Sequence, residues 1–190
     1  RREEGRLRRY VHLGTGNYHS GTARAYTDFS LMTANPEIGN DVHLIFQQLS
    51  GLAAPLKLRH LLQSPFPLHS GVLERIEREA AHARAGKPAR IVAKMNALNE
   101  AHVIRALYAA SQAGVEIDLI VRGLCCLRPG VPGLSDNIRV RSLIGRYLEH
   151  SRIFHFANGA GPGDALTYIG SADLMPRNLD RRIEAMVPVI

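Results

Sequence analysis

A strand, helix and strand pattern in the middle of the chain leaves few folds open. Two short apolar runs, at residues 89–95 and 115–121, enclose an amphipathic stretch at residues 98–114 that ends at Gly114. The pattern predicts two buried, parallel strands of an α/β sheet, joined by a helix in a right-handed crossover. Functional side chains collect beyond the carboxyl ends of such strands, so we expect three polar residues at one rim of the sheet. These residues are Lys94, Asn96 and Arg122.

The flanking segments add further helices and strands. Asn35 is a good N-cap for a helix at residues 36–49, which ends at Gly51. A second helix is predicted at residues 70–86, with Ser70 as its N-cap. The Gly-rich run that follows residue 13 is too irregular for a regular helix. Further strands are predicted at residues 8–13, 138–143 and 185–190.

A β-hairpin near the carboxyl end carries the main candidate functional residues. His150 and Arg152 open an apolar, alternating run, a turn-forming segment follows at residues 158–164, and a second apolar run leads to Asp173. Residues i and i+2 of a strand point to the same face, so the imidazole and the guanidinium lie side by side. A cation, an imidazole and a tight backbone turn are typical of a phosphate-handling site.

The hairpin has a partial counterpart near the amino terminus. The strand at residues 8–13 is followed by GTGN, which aligns with the GSAD that follows the second strand of the hairpin. His150 lies 20 residues before Gly170, whereas the same distance before Gly14 falls ahead of residue 1. We therefore expect two repeated halves related by a pseudo-twofold axis, the first of them truncated and lacking its histidine.

Composition restricts the class of partner. The formal net charge of +7 and the pI of about 9.9 favour an anionic partner, such as a nucleotide, polyphosphate, nucleic acid or lipid head group. The adjacent Cys125 and Cys126 suit neither a structural disulfide nor a zinc site, so reduced thiols in a cytoplasmic protein are expected. No stretch approaches the roughly 18 to 20 apolar residues of a membrane-spanning helix.

Several longer motifs resemble the bacterial polyphosphate kinases of the type with a phospholipase-D-like catalytic half. These motifs are HLGTGNYHSGTARAYTD, AKMNAL, ALYAASQAGVEIDLIVRGLCCLRPG, EHSRI and GSADLMPRNLDRR. They follow one another in order over nearly the whole chain. The resemblance implies a phospholipase-D-like α/β fold, a mixed sheet flanked by helices. Residues 1–69 would be the remainder of a first domain plus a crossover, and residues 70–190 a second domain.

The resemblance also implies an activity. The family moves the terminal phosphate of ATP reversibly onto polyphosphate through a phosphohistidine. That histidine and the Mg²⁺ ligands would lie upstream of residue 1, so we expect no metal ligands in this chain and no activity from it alone. The implied partners are ATP and inorganic polyphosphate, with no specific nucleic acid. A homo-oligomer is implied, as is a cytoplasmic location, with peripheral association at the inner membrane.

Individual residues take their roles from the same resemblance. His150 matches the family's second active-site histidine, which would act as a general acid or base or bind the transferring phosphate. Tyr26 and Arg122 match positions that contact the nucleotide. Leu174 stands where the family usually has a tryptophan, which weakens any stacking role there. Second-rank candidates for phosphate contacts or for lining the path of the polyanion are Asn17, Lys94, Arg152, Asp173 and Arg177.

Each of these roles has a structural alternative. His150 could orient a loop only, and Arg122 could form an ion pair with Asp118 or Glu149. Asp173 is expected either to orient an active-site histidine or to cap the turn that follows it.

Two other functions remain open. A phosphodiesterase of the phospholipase D or nuclease type would use the same paired histidines, but its motif is usually His-x-Lys with an aspartate a few residues on. Here the motif is His-x-Arg, without an aspartate at that spacing. A non-catalytic module that binds polyanions also fits the basic charge, and salt-sensitive binding without turnover would favour it.

Overall fold

The structure is a computed structural model that describes residues 1–3, 5–52, 57–159 and 164–190. Its helices are α1 (Ser20–Ala25), α2 (Pro36–Leu49), α3 (Pro67–Arg84), α4 (Ala101–Gln112) and α5 (Pro176–Asp180). Its strands are β1 (Arg2–Glu3), β2 (Arg6–Leu7), β3 (Val11–Gly14), β4 (Tyr26–Thr27), β5 (Ser30–Thr33), β6 (Leu62–Gln63), β7 (Arg90–Met95), β8 (Glu116–Val121), β9 (Ile138–Arg141), β10 (Leu148–Glu149), β11 (Arg152–Phe156), β12 (Leu166–Gly170) and β13 (Ala185–Pro188).

A seven-stranded mixed sheet forms the centre of the molecule, in the order β6-β13-β12-β11-β7-β8-β9. Strands β7, β8 and β9 run parallel, and α4 connects β7 to β8 as the crossover helix. The pairs that involve β11, β12, β13 and β6 are antiparallel. The predicted α/β class, a mixed sheet flanked by helices, is confirmed.

Alternation along β12 and β13 gives the sheet an apolar core on each face. Tyr168 and Met186 belong to the larger core, which α3 and α4 cover. Their neighbours Ile169 and Val187 point the other way, into a second core with Ile38 of α2 and residues of β3 and β5. Full burial of such a side chain contributes about 1.5–3 kcal/mol, so this second core holds the amino-terminal segment against the sheet.

The amino-terminal segment adds three small pairs of strands. Strands β1 and β2 form an antiparallel hairpin, and β3 pairs antiparallel with β5. Strand β4 pairs parallel with β10, which lies just before the His150 hairpin. This last pair brings the amino-terminal segment to the candidate site.

The predicted helices and strands are largely present, with shifted ends. Helix α2 has the predicted bounds and its Asn35 cap. Helix α3 begins at Pro67 rather than at Ser70, because proline at the first position needs no amide partner. Helix α4 begins only after Glu100, whose side chain caps it. The short α1 was not expected: the ring of His19 accepts a hydrogen bond from the Thr22 N–H at 3.3 Å and starts a helix in the Gly-rich run.

The predicted hairpin of β11 and β12 is present in antiparallel register, from Arg152 opposite Gly170 to Phe156 opposite Leu166. Its turn begins with Asn158 at φ 60°. The rest of the predicted turn, residues 160–163, lies outside the described residues. Of the helices that the structure describes, none has both the length and the apolar character needed to cross a bilayer.

Candidate active site

Because β4 pairs with β10, part of the amino-terminal segment lies next to His150. Tyr26 is opposite Leu148 in this pair. The Thr27 carbonyl accepts hydrogen bonds from the backbone N–H groups of His150 and Ser151 at 3.2 and 3.0 Å. The Tyr26 ring consequently lies against the imidazole of His150, with 4.8 Å between the ring centroids.

Asp28, two residues after Tyr26, orients the imidazole of His150. Both of its carboxylate oxygens lie 3.0 Å from His150 Nδ1. Thr15 Oγ1 donates to Asp28 Oδ1 at 2.6 Å. A Cβ atom at Gly16 would lie 2.6 Å from Asp28 Oδ2, so only glycine leaves the carboxylate this position. Because an ionised carboxylate only accepts hydrogen bonds, the proton of the neutral imidazole is on Nδ1.

Asp173 differs from its predicted role, because its carboxylate pairs with Arg152 rather than with a histidine. Arg152 Nε and Nη2 donate to the two carboxylate oxygens at 3.2 and 3.0 Å. The backbone N–H of Asn96 donates to Asp173 Oδ1 at 2.7 Å. Both side chains are buried, with exposed fractions of 9% and 10%. The pair is a charge-assisted, two-point contact inside the protein.

The guanidinium of Arg152 covers one face of the His150 ring. Its Nη1 lies 3.3 Å from His150 Nδ1 and 3.1 Å from Nε2. An in-plane atom nearly equidistant from both nitrogens would overlap a ring carbon, so Nη1 lies over the ring face. The same Nη1 donates to the Thr15 carbonyl at 3.0 Å. The in-plane lone pair of Nε2 therefore stays available to a substrate.

These surroundings determine the charge of the imidazole. Burial lowers the pKa of His150, the Arg152 guanidinium lowers it further, and the hydrogen bond to Asp28 raises it without cancelling the first two effects. His150 is thus a neutral imidazole at neutral pH, with the lone pair on Nε2 as a base.

Asn96 connects Arg122 to the same cluster. Asn96 Oδ1 accepts from Arg122 Nε at 2.8 Å, and Asn96 Nδ2 donates to the His150 carbonyl at 3.2 Å. The ion pair of Arg122 with Asp118 or Glu149 is not formed among the described residues; Asp118 pairs instead with arginines of β7 and β9. Arg122 follows β8 and Asn96 follows β7, as predicted.

Lys94 lies near the cluster, whereas Arg177 does not join it. Lys94 Nζ donates to Ser151 Oγ at 2.7 Å and lies 3.4 Å from Glu149 Oε2. Burial lowers the pKa of Lys94, and Glu149 partly restores it. Arg177 is exposed on α5, and within the described part of the chain its side chain makes no hydrogen bond or ion pair with the cluster.

Two cavities open beside the cluster. One, of about 220 Å³, is lined by residues that include Asn17, Tyr26 and Asp28. The other, of about 440 Å³, is lined by Arg122 and by the segment that leads to Glu149. Small-molecule sites are typically about 300–1,000 Å³, so the second cavity has a suitable size and a cation in its wall.

The fold and the cluster together define a class: an α/β domain with a mixed sheet, in which a carboxylate orients a histidine and a buried arginine covers the ring of that histidine. Residues 1–55 match the family model described as polyphosphate kinase C-terminal domain 1, and residues 61–190 match the one described as polyphosphate kinase C-terminal domain 2. The chain belongs to the polyphosphate kinase family.

Individual relatives agree with this assignment. The chain is 68% identical over 190 residues to the polyphosphate kinase of Xylella fastidiosa strain Temecula1, and 60% identical over 189 residues to that of Pseudomonas aeruginosa. Both alignments cover 100% of this chain and 27% of the relative. The crystal structure of polyphosphate kinase from Porphyromonas gingivalis is similar, with a TM-score of 0.89 and 47% identity over 95% of this chain and 27% of that one. The chain thus spans about a quarter of the length of these relatives.

Sequence reasoning missed Asp28, the carboxylate that orients His150. Asp28 closes the motif HLGTGNYHSGTARAYTD. Asp28 lies two residues after Tyr26, the expected nucleotide contact, and this spacing could have identified it as a site residue.

Proposed function

We propose that this chain is part of an ATP–polyphosphate phosphotransferase, which moves the γ-phosphate of ATP reversibly onto polyphosphate through a phosphohistidine upstream of these residues. The observation that carries the proposal is the Asp28–His150 pair under the buried Arg152, in a chain of the polyphosphate kinase family. Phosphoryl transfer depends mostly on positioning and on charge neutralisation, and this arrangement offers both.

His150 is the proposed catalytic residue of the chain. With its proton on Nδ1 and directed at Asp28, its Nε2 accepts a proton from a phosphate group and returns it to the leaving oxygen. Asp28 stabilises the imidazolium that exists between the two transfers. Arg152 and Asp173 position the ring and keep a positive charge over it.

The nucleotide is proposed to contact three residues: Tyr26, Arg122 and His150. Tyr26 offers a ring face and a hydroxyl at the rim of one cavity, and Arg122 offers a guanidinium at the other. Asn17 and Lys94 are proposed as secondary phosphate contacts. The exposed Arg177 is proposed to contact the polyanion at a distance from the cluster.

The carboxylates around His150 do not fit a Mg²⁺ site, because each already has partners. Asp28 is bound by His150 and Thr15, and Asp173 by Arg152 and Asn96. Mg²⁺ prefers carboxylates that it shares with substrate phosphates and water. We therefore do not assign Mg²⁺ to these two carboxylates, and we propose from the family that its ligands lie upstream of these residues.

Further properties of the whole protein follow from the family alone and are part of the proposal. They are a division into a first domain at residues 1–69 and a second at residues 70–190, a pseudo-twofold relation of phospholipase-D-like halves, assembly as a homo-oligomer, and a cytoplasmic location with peripheral membrane association.

The test is phosphate transfer from γ-labelled ATP. This chain is compared with a version extended upstream by about one domain. We expect acid-labile label on the longer protein only, and its chase into polyphosphate. Label on neither protein, with hydrolysis of a phosphodiester instead, would overturn the proposal.

The role of His150 is tested in the longer protein. His150→Ala should abolish labelling or transfer. The matched control is His155→Gln, because His155 lies in β11, a few residues after His150, and its Nδ1 forms a hydrogen bond with Thr167 Oγ1 at 2.9 Å, within the hairpin. Near-normal turnover by the His150→Ala variant would contradict a catalytic role for this residue.

A further inference from the structure

A second cluster of titratable side chains lies outside the proposed active site, where three helices meet. His69 is in the first turn of α3, Glu100 caps α4, and His102 is in the first turn of α4. One candidate ligand atom from each of these residues lies within 4.8 Å of the other two. Asp180, the last residue of α5, completes the group. The phosphotransfer mechanism uses none of these four residues.

Glu100 is fixed at the centre of this cluster. Its Oε2 accepts a hydrogen bond from the Val103 N–H at 2.7 Å, and its Oε1 lies 2.9 Å from His102 Nδ1. Its own N–H is held by the Leu174 carbonyl at 3.1 Å. Burial raises the pKa of Glu100, but the hydrogen bonds from Val103 and His102 outweigh it and bring the pKa to about 2. These hydrogen bonds hold the carboxylate in one position.

His69 has one nitrogen oriented by a carboxylate and one nitrogen without a hydrogen bond. Its Nδ1 lies 2.9 Å from Asp180 Oδ1, so Nδ1 carries the ring proton. Its Nε2 is buried and forms no hydrogen bond in the described structure, although Glu100 Oε2 is 3.3 Å away. With the ring proton on Nδ1, the lone pair of Nε2 faces the Glu100 carboxylate, and two such acceptors need a proton or a metal cation between them.

The spacing of these atoms fits a metal ion. Ligands about 2.0–2.2 Å from a tetrahedral ion lie roughly 3.4 Å from one another. The distance from His69 Nε2 to Glu100 Oε2 is 3.3 Å, and the rings of His69 and His102 have centroids 6.0 Å apart. A carboxylate that fixes the far nitrogen of a histidine is also the usual support for a metal-binding imidazole.

We propose that His69, Glu100 and His102 bind a late first-row divalent metal ion of the Zn²⁺ type, with Asp180 as the positioning residue for His69. Two imidazoles and one carboxylate are ligands that Zn²⁺ prefers, whereas Mg²⁺ and Ca²⁺ prefer oxygen ligands alone. His102 is exposed, so an ion can reach the cluster from solvent. The ion would clamp α3, α4 and α5 together, independently of the phosphotransfer chemistry.

The test uses Zn²⁺ alone, titrated by calorimetry into chelator-treated chain in the absence of nucleotide and polyphosphate. We expect one saturable site per chain. His102→Ala and His69→Ala should abolish it, and His102→Ala keeps the fold because this side chain is 67% exposed. Asp180→Asn should weaken it about 10- to 100-fold. His43→Ala, which removes an exposed histidine of α2, is the matched control and should bind normally.

Co²⁺ distinguishes this site from the adjacent cysteines. Co²⁺ bound by nitrogen and oxygen ligands should give visible absorption without a thiolate charge-transfer band. The proposal is overturned if Zn²⁺ does not bind, if His102→Ala binds as well as the His43→Ala control, or if the Co²⁺ spectrum shows thiolate ligands from Cys125 and Cys126.

Discussion

Asp173→Asn is expected to cost about 3 kcal/mol of unfolding free energy, at the lower end of the ~3–5 kcal/mol typical of breaking a buried ion pair. The substitution preserves the size of the side chain and the acceptor for the Asn96 N–H. The Arg152 guanidinium also keeps the Thr15 carbonyl, 3.0 Å from Nη1. What disappears is the negative charge opposite a guanidinium that is only 9% exposed. Because two contacts survive, the lower end of the range applies.

Urea unfolding at neutral pH measures this cost. The double variant Arg152→Met/Asp173→Asn should recover most of the loss, because it removes both charges and keeps the acceptor for the Asn96 N–H. Glu77→Gln is the control: it breaks a pair with Arg84 whose side chains are 67% and 54% exposed. That pair should contribute less than about 1 kcal/mol.

The comparison of Asp173→Asn with its control decides whether the charge pair stabilises the site. An Asp173→Asn cost as small as that of Glu77→Gln would refute the reasoning. A double variant that is less stable than Asp173→Asn would refute it as well, since the deficit would then come from packing and not from the unpaired guanidinium.

Three further predictions concern charge and ligand binding. Asp28→Asn should lower the pKa of His150 further in an NMR titration, because Asp28 raises that pKa more than Asp173 does; a higher pKa would contradict the assignment. Glu100 has a depressed pKa, so the stability it contributes is complete above its ordinary pKa of 4.5 and is lost as the pH falls towards about 2. The stability difference between wild type and Glu100→Gln should therefore shrink across that interval in urea unfolding. Arg122→Gln in the longer protein should weaken ATP binding about 10- to 100-fold, the value of a hydrogen bond to a charged group; unchanged affinity would place the nucleotide elsewhere.

Local patterns of hydrophobicity were sufficient to predict the carboxyl-terminal part of the sheet. The strands β7 and β8, the crossover helix α4 and the hairpin of β11 and β12 each repeat a period of 2 or 3.6 over enough residues to be recognised. His150 itself lies between β10 and β11, outside the predicted strand, and the guanidinium of Arg152 covers the face of its ring.

Long-range contacts were beyond such reasoning. Asp28 and His150 are 122 positions apart, and the β4–β10 pair that joins them has only two residues in each strand. A strand of this length has no period. The same limit applies to the metal-ligand candidates, because His69 and Glu100 come from the ends of different helices. In both cases the partner is determined by tertiary packing and not by local sequence.

The pKa of His150 depends on the position of the amino-terminal segment, because the short pair of β4 and β10 holds that segment beside the cluster. Asp28 and the Thr15 carbonyl both reach the cluster from that segment, the first to His150 and the second to Arg152. If the segment shifts, the imidazole loses its orienting carboxylate and the guanidinium loses an acceptor in the same movement. In the proposed mechanism, the proton affinity of His150 therefore depends on residues that lie more than 100 positions away in the sequence.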